Sequence, residues 1–189
     1  QFKIATLNTR SLKKPGMREE IEKWMKENEI MVLAIQDTRI EQNQKEARGA
    51  YTWYMSGETK QKDIEKYTAG VGLVIDNNFA KYVEDVIPHT DRIIQLKLKG
   101  TCKINIFSIY LPPATTTKSA EKNWTQFKED VYQKLEKITN KAKGQGPMYI
   151  MGDWNARLIY IQQRQMKRKS WANTPYIRTE TNWRPSQKP

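Results

Sequence analysis

The chain has 189 residues, enough for one domain with a sizeable core, and its 38% hydrophobic and 10% aromatic content suits a folded protein, although the mean hydropathy of −0.83 is polar for one. A formal net charge of +12 and a pI near 9.7 imply an acidic partner, with nucleic acid first among the candidates. No apolar run is long enough to cross a bilayer, no stretch resembles a signal leader, and a single cysteine excludes an internal disulfide.

In chain order, residues 2–7 alternate loosely and predict a strand that ends at Asn8. Pro15-Gly16 breaks the chain, and Met17, Ile21, Trp24 and Met25 then recur at helical spacing. Residues 31–35 are apolar without interruption, which predicts a strand buried on both faces, ending in Gln36-Asp37-Thr38. Strand, helix and strand within some thirty residues make a βαβ unit. Residues 40–48 are charged and read as loop; 51–55 read as a short aromatic strand, and 57–68 as an exposed, lysine-rich loop. Residues 70–75 predict another strand, closed by Asp76-Asn77-Asn78; its two glycines make no phosphate loop, because neither a helix nor a Lys-Ser pair follows. A further strand is expected over 81–86.

Residues 92–98 and 103–111 form a predicted hairpin around Lys99-Gly100-Thr101. Ile94, Leu96 and Leu98 alternate on one arm, and Ile104, Ile106, Ser108 and Tyr110 on the other. Cys102 falls in this alternating segment and reads as a buried small hydrophobe in a reducing compartment, hence an intracellular chain. After a loop at Pro112-Pro113, Trp124, Phe127, Val131, Leu135 and Ile138 mark one face of a long helix. Gly144 and Gly146-Pro147 stop it. Met148-Tyr149-Ile150-Met151 then reads as a short, fully buried strand broken by Gly152. There is no internal repeat.

From Leu158 to Pro189 the periodicity fails, leaving at most a basic helix turn at 162–169. From Arg157 onward there are eight lysines and arginines against Glu180 alone, so +7 of the net +12 lies in the last 33 residues. Either this is a solvated basic tail or it meets an acidic ligand.

Three predicted strands end in polar groups: Asn8, Asp37, and the pair Asp153 and Asn155. Sites gather at the carboxyl ends of strands in open α/β sheets. If the segment stays extended, Asp153 and Asn155 at i and i+2 point the same way and converge on one spot. Gly152-Asp153 is also a common turn former, so a turn capped by Asp153 stands beside the site reading. Two carboxylates with amide neighbours suit a hard cation such as Mg²⁺ or Mn²⁺. His89, the only histidine, follows Pro88 in an expected loop and reads as a surface residue, which disfavours a Ser-His-acid arrangement.

The segments Lys3-Ile4-Ala5-Thr6-Leu7-Asn8, Gln36-Asp37-Thr38, Ser108-Ile109-Tyr110-Leu111-Pro112 and Gly152-Asp153-Trp154-Asn155-Ala156 stand in the order and approximate spacing of a known superfamily. The chain resembles the endonuclease/exonuclease/phosphatase superfamily, most closely the apurinic-type endonuclease domain of non-LTR (LINE-like) retrotransposons. Gly70–Ile75 and Asp91-Arg92-Ile93-Ile94 resemble further segments of those domains, so the likeness covers about residues 2–157. It implies an α/β fold, a four-layer sandwich of two mixed β-sheets face to face with helices outside. It also implies a divalent-metal-dependent endonuclease acting on DNA, with Mg²⁺ or Mn²⁺ as cofactor, nuclear if the substrate is chromosomal. By position, Asn8 matches the asparagine that helps hold the metal-binding acid, and Asp37 replaces the metal-ligating glutamate. Tyr110 matches a tyrosine that contacts the scissile phosphate, Asp153 the aspartate that orients or deprotonates the attacking water, and Asn155 the asparagine that supports the phosphate. Arg10, Arg157, Arg164, Lys167, Arg168 and Lys169 are the expected nucleic-acid contacts.

Two departures qualify the likeness. Asp37 is one methylene shorter than glutamate, which displaces a metal held there or recruits a water, and metal catalysis depends on position. The superfamily's closing Ser-Asp-His motif has no counterpart here, although Asn173-Thr174 and 181–186 echo earlier segments. The expectation is therefore a domain over 1–157 followed by a basic, irregular remnant of the same domain over 158–189, truncated or degenerate. Its function is either weakened endonuclease or a catalytically dead relative that binds nucleic acid or serves as a structural subunit. An incomplete second sheet leaves an edge for another polypeptide or an oligomer to cover.

Overall fold

The computed structural model describes residues 2–58, 69–111 and 118–155, with the backbone alone at 118–124. The expectations for residues 59–68, for the loop at 112–117 and for the segment from Ala156 onward lie outside these residues.

The uninterrupted apolar run forms β2 (Val32–Gln36), buried along its whole length. Val32 and Ala34 enter one core; Leu33 and Ile35, on the other face, enter a second. Such two-faced burial is why the run shows no polar alternation. β2 pairs in parallel with β1 (Ile4–Asn8), and α1 (Met17–Glu27) connects the two. β3 (Gln44–Arg48), β4 (Tyr51–Ser56) and β5 (Val71–Asp76) complete a first sheet in the order β1-β2-β5-β4-β3. The second sheet runs β6-β7-β8-β9, made of β6 (Val83–Thr90), β7 (Ile93–Leu98), β8 (Ile104–Tyr110) and β9 (Met148–Asp153). Its one parallel pair, β8 and β9, is connected through α2 (Lys118–Ala142). Both sheets are thus mixed, and each contains one βαβ crossover.

Three cores define four layers. Val71, Leu73 and Ile75 of β5 meet Ile94, Leu96, Leu98 and Ile106 of the second sheet in the central core. Ile21 and Met25 of α1 cover Leu33, Ile35, Trp53 and Val74 on the outer face of the first sheet. Val131, Leu135, Ile138 and Ala142 of α2 cover Ile93, Phe107, Ile109 and Leu111 on the outer face of the second. Burying each large apolar side chain stabilises by about 1.5–3 kcal/mol, so all three seams contribute. The result is the four-layer α/β sandwich that the sequence predicts, with the alternation in the β7–β8 hairpin facing the expected way.

Five local expectations are corrected. The charged segment at 40–48 contains β3, an edge strand whose Glu46 pairs with Arg18, and whose Arg48 bonds Glu19 at 2.6 Å and Glu22 at 3.3 Å. Charge is common on an edge strand because it blocks stray pairing. Residues 77–82 form a 3-10 helix, and β6 then runs over Val83–Thr90 rather than over 81–86. His89 is accordingly a strand residue, 2.8 Å from Gln95 Oε1, and not a loop residue. Cys102 is exposed, because it sits in the β7–β8 turn outside the alternating arms. β9 is not fully buried: it is the outer strand of its sheet, with Tyr149 39% and Ile150 38% exposed.

Candidate functional site

Parallel strands joined by a helix point the same way, so β1 and β2 end together, as do β8 and β9. The central packing then sets these two pairs of ends against each other. Asn8, the last residue of β1, donates from Nδ2 to Asp153 Oδ2 at 2.6 Å, across the two sheets. The backbone N–H of Arg10 donates to Asn8 Oδ1 at 2.9 Å, which fixes the orientation of the amide.

Asp153 ends β9 and receives a second donor, the backbone N–H of Asn155 at 2.9 Å. This is an Asx turn, the turn capped by Asp153 that the sequence allows. The extended geometry stops there: Asn155 has φ 43°, and its Nδ2 reaches the Leu111 carbonyl at 2.6 Å at the end of β8. Gly152 has φ 151°, and a Cβ on it would strike the Ile109 carbonyl, so only glycine fits this crossing. Asp153 therefore arrives at the site through a close approach of two parallel strands.

Asp37 follows β2 in the left-handed region at φ 52°, as does Arg39 at φ 58°. Each such residue costs about 1–3 kcal/mol and persists where surrounding contacts over-determine it. Those contacts are present on both sides. Ser11 N–H donates to the Asp37 carbonyl at 2.8 Å and Leu12 N–H to that of Thr38 at 3.0 Å; Arg39 N–H donates to the Ala69 carbonyl at 2.8 Å. With both residues held this way, Arg39 turns back on Asp37, with Nε 3.1 Å from Oδ1 and Nη2 3.5 Å from Oδ2.

Tyr110 ends β8 and is buried to 5% exposure. Burial first, and then the negative charge of Asp37, push its phenol above the ordinary value; Asp153 adds to this, while Arg92 and Arg39 oppose it. The phenol is therefore neutral across the physiological range. The Arg92 guanidinium lies 5.1 Å from the Tyr110 ring and 5.4 Å from that of Phe127. Its Nε and Nη1 are buried and have no hydrogen-bond partner among the described residues, with Asp91 Oδ2 3.9 Å from Nε.

Beneath these groups lies a buried polar bridge that carries no role in the sequence reading. Gln36 Nε2 donates to Ser108 Oγ at 2.9 Å and to Thr6 Oγ1 at 3.0 Å, and Ser108 donates to the Ile35 carbonyl at 3.0 Å. It ties β1, β2 and β8 together one to two residues below the site. The signal was a glutamine closing an apolar run and a serine on an otherwise apolar strand face.

Of the sequence candidates, Asn8, Asp153 and Asn155 are joined by hydrogen bonds, and Tyr110 senses the charges of both Asp37 and Asp153. Arg10 is exposed in the loop after β1 with φ 50°, beside Asn8. Arg157, Arg164, Lys167, Arg168 and Lys169 lie outside the described residues. As they stand, the residues do not fit a divalent metal. Both Asp37 oxygens face Arg39, both Asp153 oxygens accept hydrogen bonds from amides, and among the described residues no three His, Cys, Asp or Glu side chains are grouped to hold an ion.

No protein-family model and no curated protein sequence matches this chain. Solved structures do match. An AP endonuclease from Archaeoglobus fulgidus superposes with a TM-score of 0.58 at 23% identity, covering 81% of this chain and 57% of its own. The endonuclease domain of TRAS1, a telomere-specific non-LTR retrotransposon, gives 0.56 at 17% identity, covering 83% and 60% respectively. The AP endonuclease LMAP from Leishmania major gives 0.60 at 12% identity, covering 80% and 54%. The chain thus spans somewhat more than half the length of these structures. Two mixed sheets packed face to face, with both crossover helices outside, give this chain the endonuclease/exonuclease/phosphatase fold, shared with AP endonucleases and a retrotransposon endonuclease domain.

Proposed function

We propose that this domain binds DNA along its phosphodiester backbone and has lost most of the hydrolytic power associated with its fold. The observation that carries this reading is the Asp37–Arg39 pair: the carboxylate for which the resemblance implies a metal-ligand role is already paired with a guanidinium. The net charge of +12 supplies the long-range attraction to DNA, and the neutral Tyr110 phenol is a hydrogen-bond donor for a phosphate oxygen. Arg10 and the basic residues Arg157, Arg164, Lys167, Arg168 and Lys169 are the proposed backbone contacts. A protein partner or a second copy along the β9 edge belongs to the same reading, supported by the exposure of Tyr149 and Ile150 there.

A second reading, slow Mg²⁺- or Mn²⁺-dependent nicking of DNA, is favoured by one specific feature. Asp153 is held by Asn8 and by the Asn155 N–H in the manner of a general base aimed at its substrate.

One experiment separates the two. Duplex DNA binding is followed in EDTA over a range of salt, and nicking of supercoiled plasmid is followed in Mg²⁺ for the wild-type chain and for Asp153→Ala. The first reading expects salt-sensitive binding and equal, background nicking by both proteins. Nicking by the wild type well above Asp153→Ala would establish the second.

A further inference from the structure

The mismatch between the Asp37 carboxylate and a metal has a local cause, and that cause is itself chemically informative. We propose that Arg39 is the resident cation of this site, closing Asp37 to divalent metal and offering its remaining N–H groups to a phosphate of the bound nucleic acid.

Four observations support this assignment. The fork faces both carboxylate oxygens, at 3.1 and 3.5 Å, so little of the carboxylate is left for an ion. The pair is built into the backbone: Asp37 and Arg39 both adopt left-handed φ values, and their segment is clamped by the loop after β1 and by Ala69 and Gly70 ahead of β5. The two side chains differ in access. Asp37 is 9% exposed and Arg39 30%, so the anion is sealed while the cation keeps a face to solvent. Finally, the charges of Asp37, Arg39 and Asp153 all act on the Tyr110 phenol, so these groups share one electrostatic environment.

The chemistry suits the role. A guanidinium has five N–H donors in a planar array, and the contact with Asp37 uses two of them. Arginine never loses its charge at physiological pH and matches the geometry of a phosphate, so one side chain can bridge a carboxylate on one edge and a phosphate oxygen on another. A carboxylate paired in this way serves to aim the cation. The ligand is then the phosphodiester backbone, bound without a metal. This extends the DNA-binding reading above and rests on it for the identity of the ligand.

The test uses the full chain as wild type, Arg39→Met, Arg39→Lys and Asp37→Asn, with folding checked by circular dichroism. Mn²⁺ binding is read by electron paramagnetic resonance without DNA. Binding of a fluorescein-labelled duplex is read by anisotropy in EDTA at several salt concentrations. Removing Arg39 is expected to tighten Mn²⁺ binding by about tenfold or more, while Asp37→Asn leaves the weak wild-type value unchanged. In EDTA, Arg39→Met is expected to weaken duplex binding by about fivefold and to lower the salt slope by about one, with Arg39→Lys intermediate. The proposal is overturned if the wild type binds Mn²⁺, loses it in Asp37→Asn and gains nothing in Arg39→Met. It is equally overturned if duplex affinity and salt slope are the same in Arg39→Met as in the wild type. Should Arg39→Met not fold, Arg39→Lys and Asp37→Asn carry both comparisons. If no form of the protein binds duplex DNA, the functional reading fails, and the Mn²⁺ measurements still decide whether Arg39 closes Asp37.

Discussion

The molecule contains two βαβ crossovers that bring their acids to one place by the same route and then treat them differently. In β1-α1-β2, Asp37 lies past the end of its strand, in strained backbone, against a full positive charge. In β8-α2-β9, Asp153 ends its strand and, among the described residues, is met by neutral amides. A cation quenches a carboxylate, whereas amide donors orient it and leave its charge available to act. The flanks differ too. The outer face of the first sheet is tied to α1 by polar links, with Glu22 accepting from Trp53 Nε1 at 2.8 Å and from Arg48 at 3.3 Å. The second sheet ends in β9, half-exposed. Among the described residues, one half of this sandwich is closed both chemically and structurally, and the other keeps its acid and its edge open.

The comparison can be broken first at the cores. Trp53→Ala beneath α1 and Phe107→Ala beneath α2 should each destabilise by about 3–5 kcal/mol in urea unfolding, since both side chains are fully buried. A loss confined to one of them would mean that the halves do not unfold as one unit.

Next in size is Gly152→Ala. With φ 151° and the Ile109 carbonyl in the way, it should cost about 2–3 kcal/mol and displace Asp153 from Asn8. A cost below about 0.5 kcal/mol would show that the β8–β9 crossing tolerates a side chain and that Asp153 is less firmly placed than argued.

Asn8→Ala takes one donor from Asp153 and should cost about 1–2 kcal/mol. Urea unfolding of Asn8→Ala against the wild type measures that cost. An unchanged unfolding midpoint would mean that the amide contributes nothing to holding Asp153 in place.

Tyr110 offers a pH test. Its phenol is raised above the usual value near 10, so the unfolded state ionises first on raising the pH. The stability contributed by the neutral, buried phenol is complete below about pH 10 and is lost as pH rises through the folded value. Urea unfolding of the wild type against Tyr110→Phe, from pH 8 to 11, should show the wild type falling more steeply above pH 10. Parallel curves would contradict the burial of this group.

The smallest effect is expected at the open edge. Ile150→Lys should change stability by no more than about 0.5 kcal/mol while reducing any concentration-dependent association seen in sedimentation. A large loss of stability would mean that Ile150 is covered within the chain, and the contrast between the two flanks would fall.

Much of the fold was legible in the residues. The apolar run at 31–35 specified a two-faced strand because nothing polar interrupts it, and the alternation at 94–98 and 104–110 specified which side chains meet between the sheets. The helical face at Val131, Leu135 and Ile138 specified its seam in the same way. Edge strands were less legible. β3 is a strand because β4 pairs with it and α1 neutralises its charges, and no periodicity of its own announces that. β9 carries the apolar composition of a buried strand but lies at the margin of its sheet, a matter of neighbours rather than of sequence. Cys102 shows the same limit at the scale of one residue, since alternation does not say where a hairpin turns.

For the site, the sequence by itself determined which groups arrive: Asn8, Asp37, Tyr110, Asp153 and Asn155, each at or just past the end of a strand, because strand ends are where polar residues stop an apolar run. Only the tertiary structure decided what they do to one another. It paired Asn8 with Asp153 across two sheets 145 residues apart in the chain, and it folded Arg39 back onto Asp37 through two left-handed residues. Hydrophobic pattern is written in local spacing and can be read there. The sign of the charge facing a carboxylate depends on backbone torsions and on contacts from distant strands, and those exist only once the chain has folded.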